Sequence, residues 1–264
     1  MIIDANVHIT PTGKWFESNY DASIENLLAQ MQLANVNKSI LVPFDGFIDD
    51  EFIMSICEKY PDKFIPATSF NPAKYDTSEI AQSSFVEKYK CEKNTHIIKF
   101  HNRLHKYDIE DERLMAVLES NNQLQHPKII FLCGLFFSKN TAVNLAPPIF
   151  IQKLVKKLNN TTLVIMHCGG SWCLPIAEAI RDCPNVYLDL SYTISTYKES
   201  SVWLDLKYLV SNFDKRLIWG SDFPEIDIVQ SLNDFEELTK QLTQEKKNNI
   251  LFNNIHNLLK NNGR

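Results

Sequence analysis

The chain has 264 residues, with 27 Lys and Arg against 32 Asp and Glu for a net charge of −5. Its basic residues are scattered, and phosphate binding needs a concentrated cationic face, so a nucleic-acid partner is excluded from the expected functions. At 44% hydrophobic and 22% charged residues, with no low-complexity tract and no Pro/Gly/Ser-rich linker, the composition predicts a single globular domain.

The first apolar run, Ile2 to His8, reads as a strand and ends on Asn6-Val7-His8. No charged leader or cleavage site precedes it and no run approaches the roughly 18 apolar residues of a membrane span, so neither secretion nor a membrane partner is expected. The spacing then changes to three and four, placing Ile24, Leu27, Leu28 and Met31 on one face of a helix. Further strands are predicted at Ser39 to Pro43, Lys63 to Ser69, Ile97 to His101 and Lys128 to Cys133. Pro147-Pro148 suit the first turn of a helix whose apolar face is Ile151, Leu154, Val155 and Leu158. Strands at Thr162 to His167 and Asn185 to Leu190 follow, then a helix with Val202, Leu206 and Leu209, and an eighth strand from Arg216 to Gly220. The tail from Gln244 to Lys260, carrying Ile250, Leu251, Leu258 and Leu259, reads as a helix packed on the outside or the base.

Continuous Val/Ile/Leu strands separated by helices mean a parallel sheet with right-handed crossovers. Eight such units in about 250 residues match the α/β class (β/α)8 TIM barrel, whose active sites lie at the carboxyl ends of the strands. An open doubly wound sheet is the competitor, but no Gly-rich phosphate loop follows the first strand. The six cysteines, Cys57, Cys91, Cys133, Cys168, Cys173 and Cys183, have no paired short spacing, which suits reduced thiols in a cytoplasmic protein.

On a barrel, the ends of different strands share one mouth. His8 ends the first strand, Lys99 and His101 the fourth, Cys133 the fifth and His167 the sixth, while Asp222 follows the eighth in Gly-Ser-Asp-Phe-Pro. Asp222 could instead cap the helix after it. Lys99 and His101, separated by Phe100, share one strand face, and Lys99 could serve as a fixed cation for a substrate carboxylate. Arg103 and His105 lie beyond the strand, where a solvated loop is expected. Cys133 reads either as a small packed residue or as a thiolate ligand. His96, His126 and His256 are given no role.

In this order the segments Ile-Asp-Ala-Asn-Val-His, Ile-Lys-Phe-His, Ile-Met-His-Cys-Gly-Gly, Tyr-Leu-Asp-Leu-Ser and Gly-Ser-Asp-Phe-Pro, with Asn254 in the closing helix, resemble the amidohydrolase-2 family of the amidohydrolase superfamily. The resemblance covers nearly the whole chain. It implies a TIM barrel in which a His-x-His pair, a His on strand five and an Asp on strand eight hold a divalent metal, with the strand-six His near the attacking water. His8, His167 and Asp222 carry over. Asn6 stands at an altered ligand position and Cys133 at the strand-five position, so a zinc set would consist of His8, Asp222, His167 and Cys133.

The expected function is therefore a hydrolase that opens an amide, ester or lactone of a small molecule with an activated water, Asp222 and His167 moving the proton, with or without the metal. Lys99, His101 and Arg103 are the expected substrate contacts. Two alternatives share the pocket: a nonoxidative decarboxylase of an aromatic or unsaturated acid, anchored by Lys99 and Arg103, and a barrel that binds without turnover. Specificity would sit in the loops Thr10 to Tyr20, Asn102 to Asp108, Phe136 to Ala146 and Tyr192 to Ser200, where Trp15, Phe16, Phe136, Phe137 and Tyr192 could line an apolar pocket. A homo-oligomer is compatible with the sequence.

Overall fold

The computed structural model describes residues 1–92, 95–158 and 161–262. Eight strands, β1 (Ile3–Val7), β2 (Lys38–Leu41), β3 (Phe64–Ser69), β4 (Ile97–Phe100), β5 (Ile129–Cys133), β6 (Leu163–Met166), β7 (Val186–Asp189) and β8 (Leu217–Ile218), pair in chain order. Every pairing is parallel, as expected of strands fed by helical crossovers. The ring closes through backbone bonds beyond the short β8: Ala5 N donates to Trp219 O at 3.2 Å, Asp222 N to Asn6 O at 3.0 Å and His8 N to Phe223 O at 2.8 Å. The fold is a single-domain TIM barrel.

Alternation along the strands divides the apolar residues into two cores. Ile40, Ile97, Ile129, Phe131, Val164, Met166 and Ile218 fill the barrel interior, while Leu41, Ile98, Phe100, Ile130, Leu132, Ile165 and Leu217 meet the surrounding helices. The phase changes once in β1. Ala5 belongs to the interior and Val7 to the outer layer, because the β1–β2 register shifts between Asp4 and Val7. One extra residue at a bulge turns the following side chains to the other face, which aims Asn6 and His8 into the mouth.

Two predicted elements differ. Arg216 is not in the eighth strand: it ends a single tight turn, Asp214–Arg216, and its guanidinium donates to the carbonyls of Ile180, Arg181 and Cys183. The tail runs as Gln244–Asn248, a π-type turn at Asn249–Asn253 and Asn254–Asn262, and it packs on the base. Ile255 completes the interior core, and Asn254 Nδ2 donates to the carbonyls of Asp214 and Leu217, both at 2.7 Å. All six cysteines are free thiols. Among the described residues, no helix is long and apolar enough to cross a membrane.

Candidate active site

The strands' carboxyl ends open into a cavity of ≈ 410 Å³ lined by His8, His101, Arg103, Lys139, His167, Asp222 and Glu225, with Trp15, Phe16, Phe44 and Tyr192 among its apolar walls. Asn6 Nδ2 donates to Asp222 Oδ1 at 2.6 Å, and His8 Nε2 lies 3.4 Å from the same oxygen. Burial pushes the Asp222 carboxyl upward, but His167, the hydrogen bond and charge of His8, and Lys99 together outweigh it and hold it below the usual carboxylate range. The group is an anion at any working pH.

The three histidines are told apart by their backbone partners. His8 Nδ1 donates to Val42 O at 2.8 Å, so Nε2 is the atom it turns to Asp222, and its ring is held between Trp15 and Phe44. His101 Nδ1 accepts from Leu104 N at 3.2 Å as the cap of the short helix Asn102–His105, which places the ring proton on Nε2. Burial, reinforced by the charge of Lys99, keeps His101 neutral. It therefore offers the cavity a neutral N–H donor. His167 Nδ1 lies 3.3 Å from Ser191 O, leaving Nε2 a lone pair, and burial lowers its pKa to about 4.

His167 reaches the cavity by a departure from strand geometry. Val164 and Met166 point inward, so alternation would send His167 outward. Instead His167, Cys168, Gly169 and Gly170 all have positive φ, a conformation that costs non-glycine residues about 1–2 kcal/mol each. Asp189 secures it, with Oδ1 accepting from His167 N at 3.1 Å, Ser191 N at 3.2 Å and the Ser191 hydroxyl. On the other side Asp4 Oδ1 accepts from Ser221 N at 2.8 Å and Asn6 N at 3.2 Å. Burial raises Asp189 to about 6 and Asp4 to about 7. These two carboxyls position the site without lining the cavity. The Tyr-Leu-Asp-Leu-Ser segment contained Asp189 and Ser191, but no spacing rule marks a residue that works on backbone N–H groups.

Several expectations need correcting. Lys99 shares the inward strand face but does not line the cavity; its Nζ is buried without a hydrogen-bond partner, and burial lowers its pKa against the pull of Cys133, Asp222 and Asp189. Arg103 and His105 are not in a solvated loop: both lie on the helix Asn102–His105, Arg103 lines the cavity and His105 Nε2 meets Asp45 O at 3.1 Å. Glu225, which accepts from Trp15 Nε1 at 3.0 Å, and Lys139 were unforeseen, since both come from loops whose path the residue pattern leaves open.

The proposed zinc set is not assembled. Among the described residues, no group of three or more His, Cys, Asp or Glu side chains is placed to hold a metal ion. Burial raises Cys133 and keeps it a thiol, Cys133 does not line the cavity, Asn6 donates its amide N–H groups to Ser191 and Asp222 and offers a metal only a neutral amide oxygen, and the Lys99 amine lies in the field of Cys133, Asp222 and Asp189. Such a set does not fit a divalent ion.

The family model described as Amidohydrolase matches residues 3–260. The chain belongs to the amidohydrolase-2 family. Members of its superfamily are generally metal-dependent. Its fold is similar to that of an uncharacterised TIM-barrel protein from Bordetella bronchiseptica (17% identity over 100% of this chain and 99% of that one, TM-score 0.76). It is also similar to a probable 2-pyrone-4,6-dicarboxylic acid hydrolase from Acinetobacter baumannii (14%, 98% and 99%, 0.59) and to a 5-carboxyvanillate decarboxylase from Sphingomonas paucimobilis (12%, 98% and 98%, 0.61). No curated protein matches the sequence.

Proposed function

We propose that this amidohydrolase hydrolyses an ester or lactone of a small carboxylate-bearing molecule, using Asp222 rather than a bound metal to activate water. The observation that carries this reading is the buried, ionised Asp222, gripped by Asn6 and His8, lining the same cavity as Arg103 and Lys139. A water on the Asp222 carboxylate gives it a proton as the water oxygen adds to the substrate carbonyl. The neutral His101 Nε2–H is the donor for the oxygen that turns negative, and its neutrality spares the site an extra buried charge. When the tetrahedral adduct collapses the C–O bond breaks, and the proton on Asp222 passes to the departing alkoxide directly or through Nε2 of His167. Lactones and esters suit this machinery better than amides, because an alkoxide leaves with less assistance than an amide nitrogen.

Arg103 and Lys139 also support a second reading, nonoxidative decarboxylation, since both can anchor a carboxylate. Turnover in H₂¹⁸O separates the two: hydrolysis places the label in the new carboxylate, whereas decarboxylation releases CO₂ without adding labelled oxygen by attack. The role of Asp222 is tested with Asp222→Asn, which keeps the shape and removes the base. The expected loss in kcat/KM for a lactone acid is about 10²–10⁴-fold, the usual contribution of a positioned base. A variant with full turnover would show that the base lies elsewhere.

A further inference from the structure

Beside the Asp222 cavity lies a second one of ≈ 220 Å³, walled chiefly by Phe136, Phe137, Trp172 and Tyr197. The two volumes are bounded in common by Arg103, Leu135 and Tyr192. Arg103 stands between them in charge as well as position, close enough to act on His101 in one and on Tyr197 in the other. Among the described residues its guanidinium has no hydrogen-bonded or ion-paired acceptor. An unpaired guanidinium beside a chamber bordered by aromatic residues is an arrangement a ligand would complete: a planar carboxylate meets the fork of donors, and a ring meets the aromatic side chains.

The backbone makes room for such a ring. At Gly170 an added Cβ would lie 3.2 Å from Leu135 Cδ2 and 3.4 Å from the Tyr197 hydroxyl, so the bare backbone of Gly170 keeps this passage open. Phe137 is 62% exposed at the rim, apolar surface that a bound ring would cover. At ≈ 220 Å³ the chamber exceeds the about 150 Å³ that accommodates benzene, so it has room for one substituted ring.

We infer that the two volumes are halves of one substrate site: the second chamber receives an aromatic ring, Arg103 holds a carboxylate at the junction, and the bond to be cleaved extends toward Asp222. This rests on the proposed function for the location of the reacting carbonyl, but the ring subsite is read by binding alone. The substrate class is an aryl-substituted carboxylic acid carrying an ester or lactone.

Calorimetric binding of 3-phenylpropionate, 3-cyclohexylpropionate and propionate to the full chain tests it. The phenyl acid is expected to bind at least tenfold more tightly than propionate and more tightly than the cyclohexyl acid. Ser171→Trp, which fills the second chamber from an exposed position, should bring the phenyl-to-propionate ratio close to one. Trp172→Ala, which removes one ring wall, should lower the same ratio severalfold and serves if Ser171→Trp does not fold. Equal affinities for phenyl and propionate, no measurable binding of the phenyl acid, a cyclohexyl acid that binds as well, or a ratio unmoved in the folded variants overturns the inference. Full turnover by Asp222→Asn would instead sink the proposed base and leave the binding ratio standing.

Discussion

Each histidine at the mouth has the protonation pattern its neighbours impose, and His167 has a measurable consequence. Burial sets its folded pKa to about 4 against an ordinary value of 6.5, so its Nε2 lone pair is available above about pH 4. kcat/KM is expected to rise with pH through about 4 and then stay level to pH 8, Asp222 being ionised throughout. A limb near pH 6.5 in the pH–rate profile would remove His167 from the proton path. The same shift affects stability. Between pH 4 and 6.5 the unfolded chain binds a proton at this position that the folded one refuses, so folding stability rises with pH across that window, by about 3 kcal/mol from this residue. Urea titrations of wild type and His167→Gln at pH 4.5 and 7 should show the wild type losing more on acidification. The residue types that carry this chemistry were readable as strand-ending His and Asp, whereas the tautomers were not, because they depend on Val42, Leu104 and Ser191, remote in sequence or outside any motif.

Strand alternation explains most of the site and fails at two informative places. It correctly turned Lys99 and Cys133 into the barrel with Ile97 and Phe131, but period two carries no information on a bulge, and the shift between Asp4 and Val7 is what aims Asn6 and His8. At β6 the left-handed run from His167 to Gly170 overrides alternation, and it fits only because a glycine follows β5. A Cβ at Gly134 would lie 2.3 Å from Met166 O and 3.0 Å from Gly169 Cα, both backbone atoms that have nowhere to go. Gly134→Ala is therefore expected to cost about 3 kcal/mol, at the upper end of overpacking effects, with loss of activity as the β6 turn moves. Chemical denaturation and kcat/KM of the same variant check both parts.

The barrel as a whole depends on what closes it. β8 contributes two residues, and the ring is completed by the backbone bonds to Trp219, Asp222 and Phe223, so the segment that seals the barrel also delivers the proposed base. Beneath it the tail helix supplies Ile255 to the interior core, fully buried. Ile255→Ala should cost about 2–5 kcal/mol for the lost side chain and its cavity, read as a lower urea midpoint. The mouth of the barrel bears on the metal question, because Asn6 donates to Asp222 there and burial keeps Cys133 a thiol. Elemental analysis of protein purified without a polyhistidine tag or chelator is expected to give well under one zinc per chain; near-stoichiometric zinc would overturn the metal-independent mechanism.

From residue order alone came the strand count, the helical spacing and the placement of His8, Lys99, His101, Cys133, His167 and Asp222 near one barrel mouth, since these follow from periodicity and from where apolar runs stop. Which of these groups meet the cavity was set by folding. Lys99 and Cys133 ended outside its lining while Arg103, Lys139 and Glu225 came to its walls, because burial, backbone partners and loop paths arise between segments far apart in the chain. The altered positions Asn6 and Cys133 were visible as letters; that Asn6 donates to Asp222 while Cys133 is buried away from the cavity is a property of the packed interior.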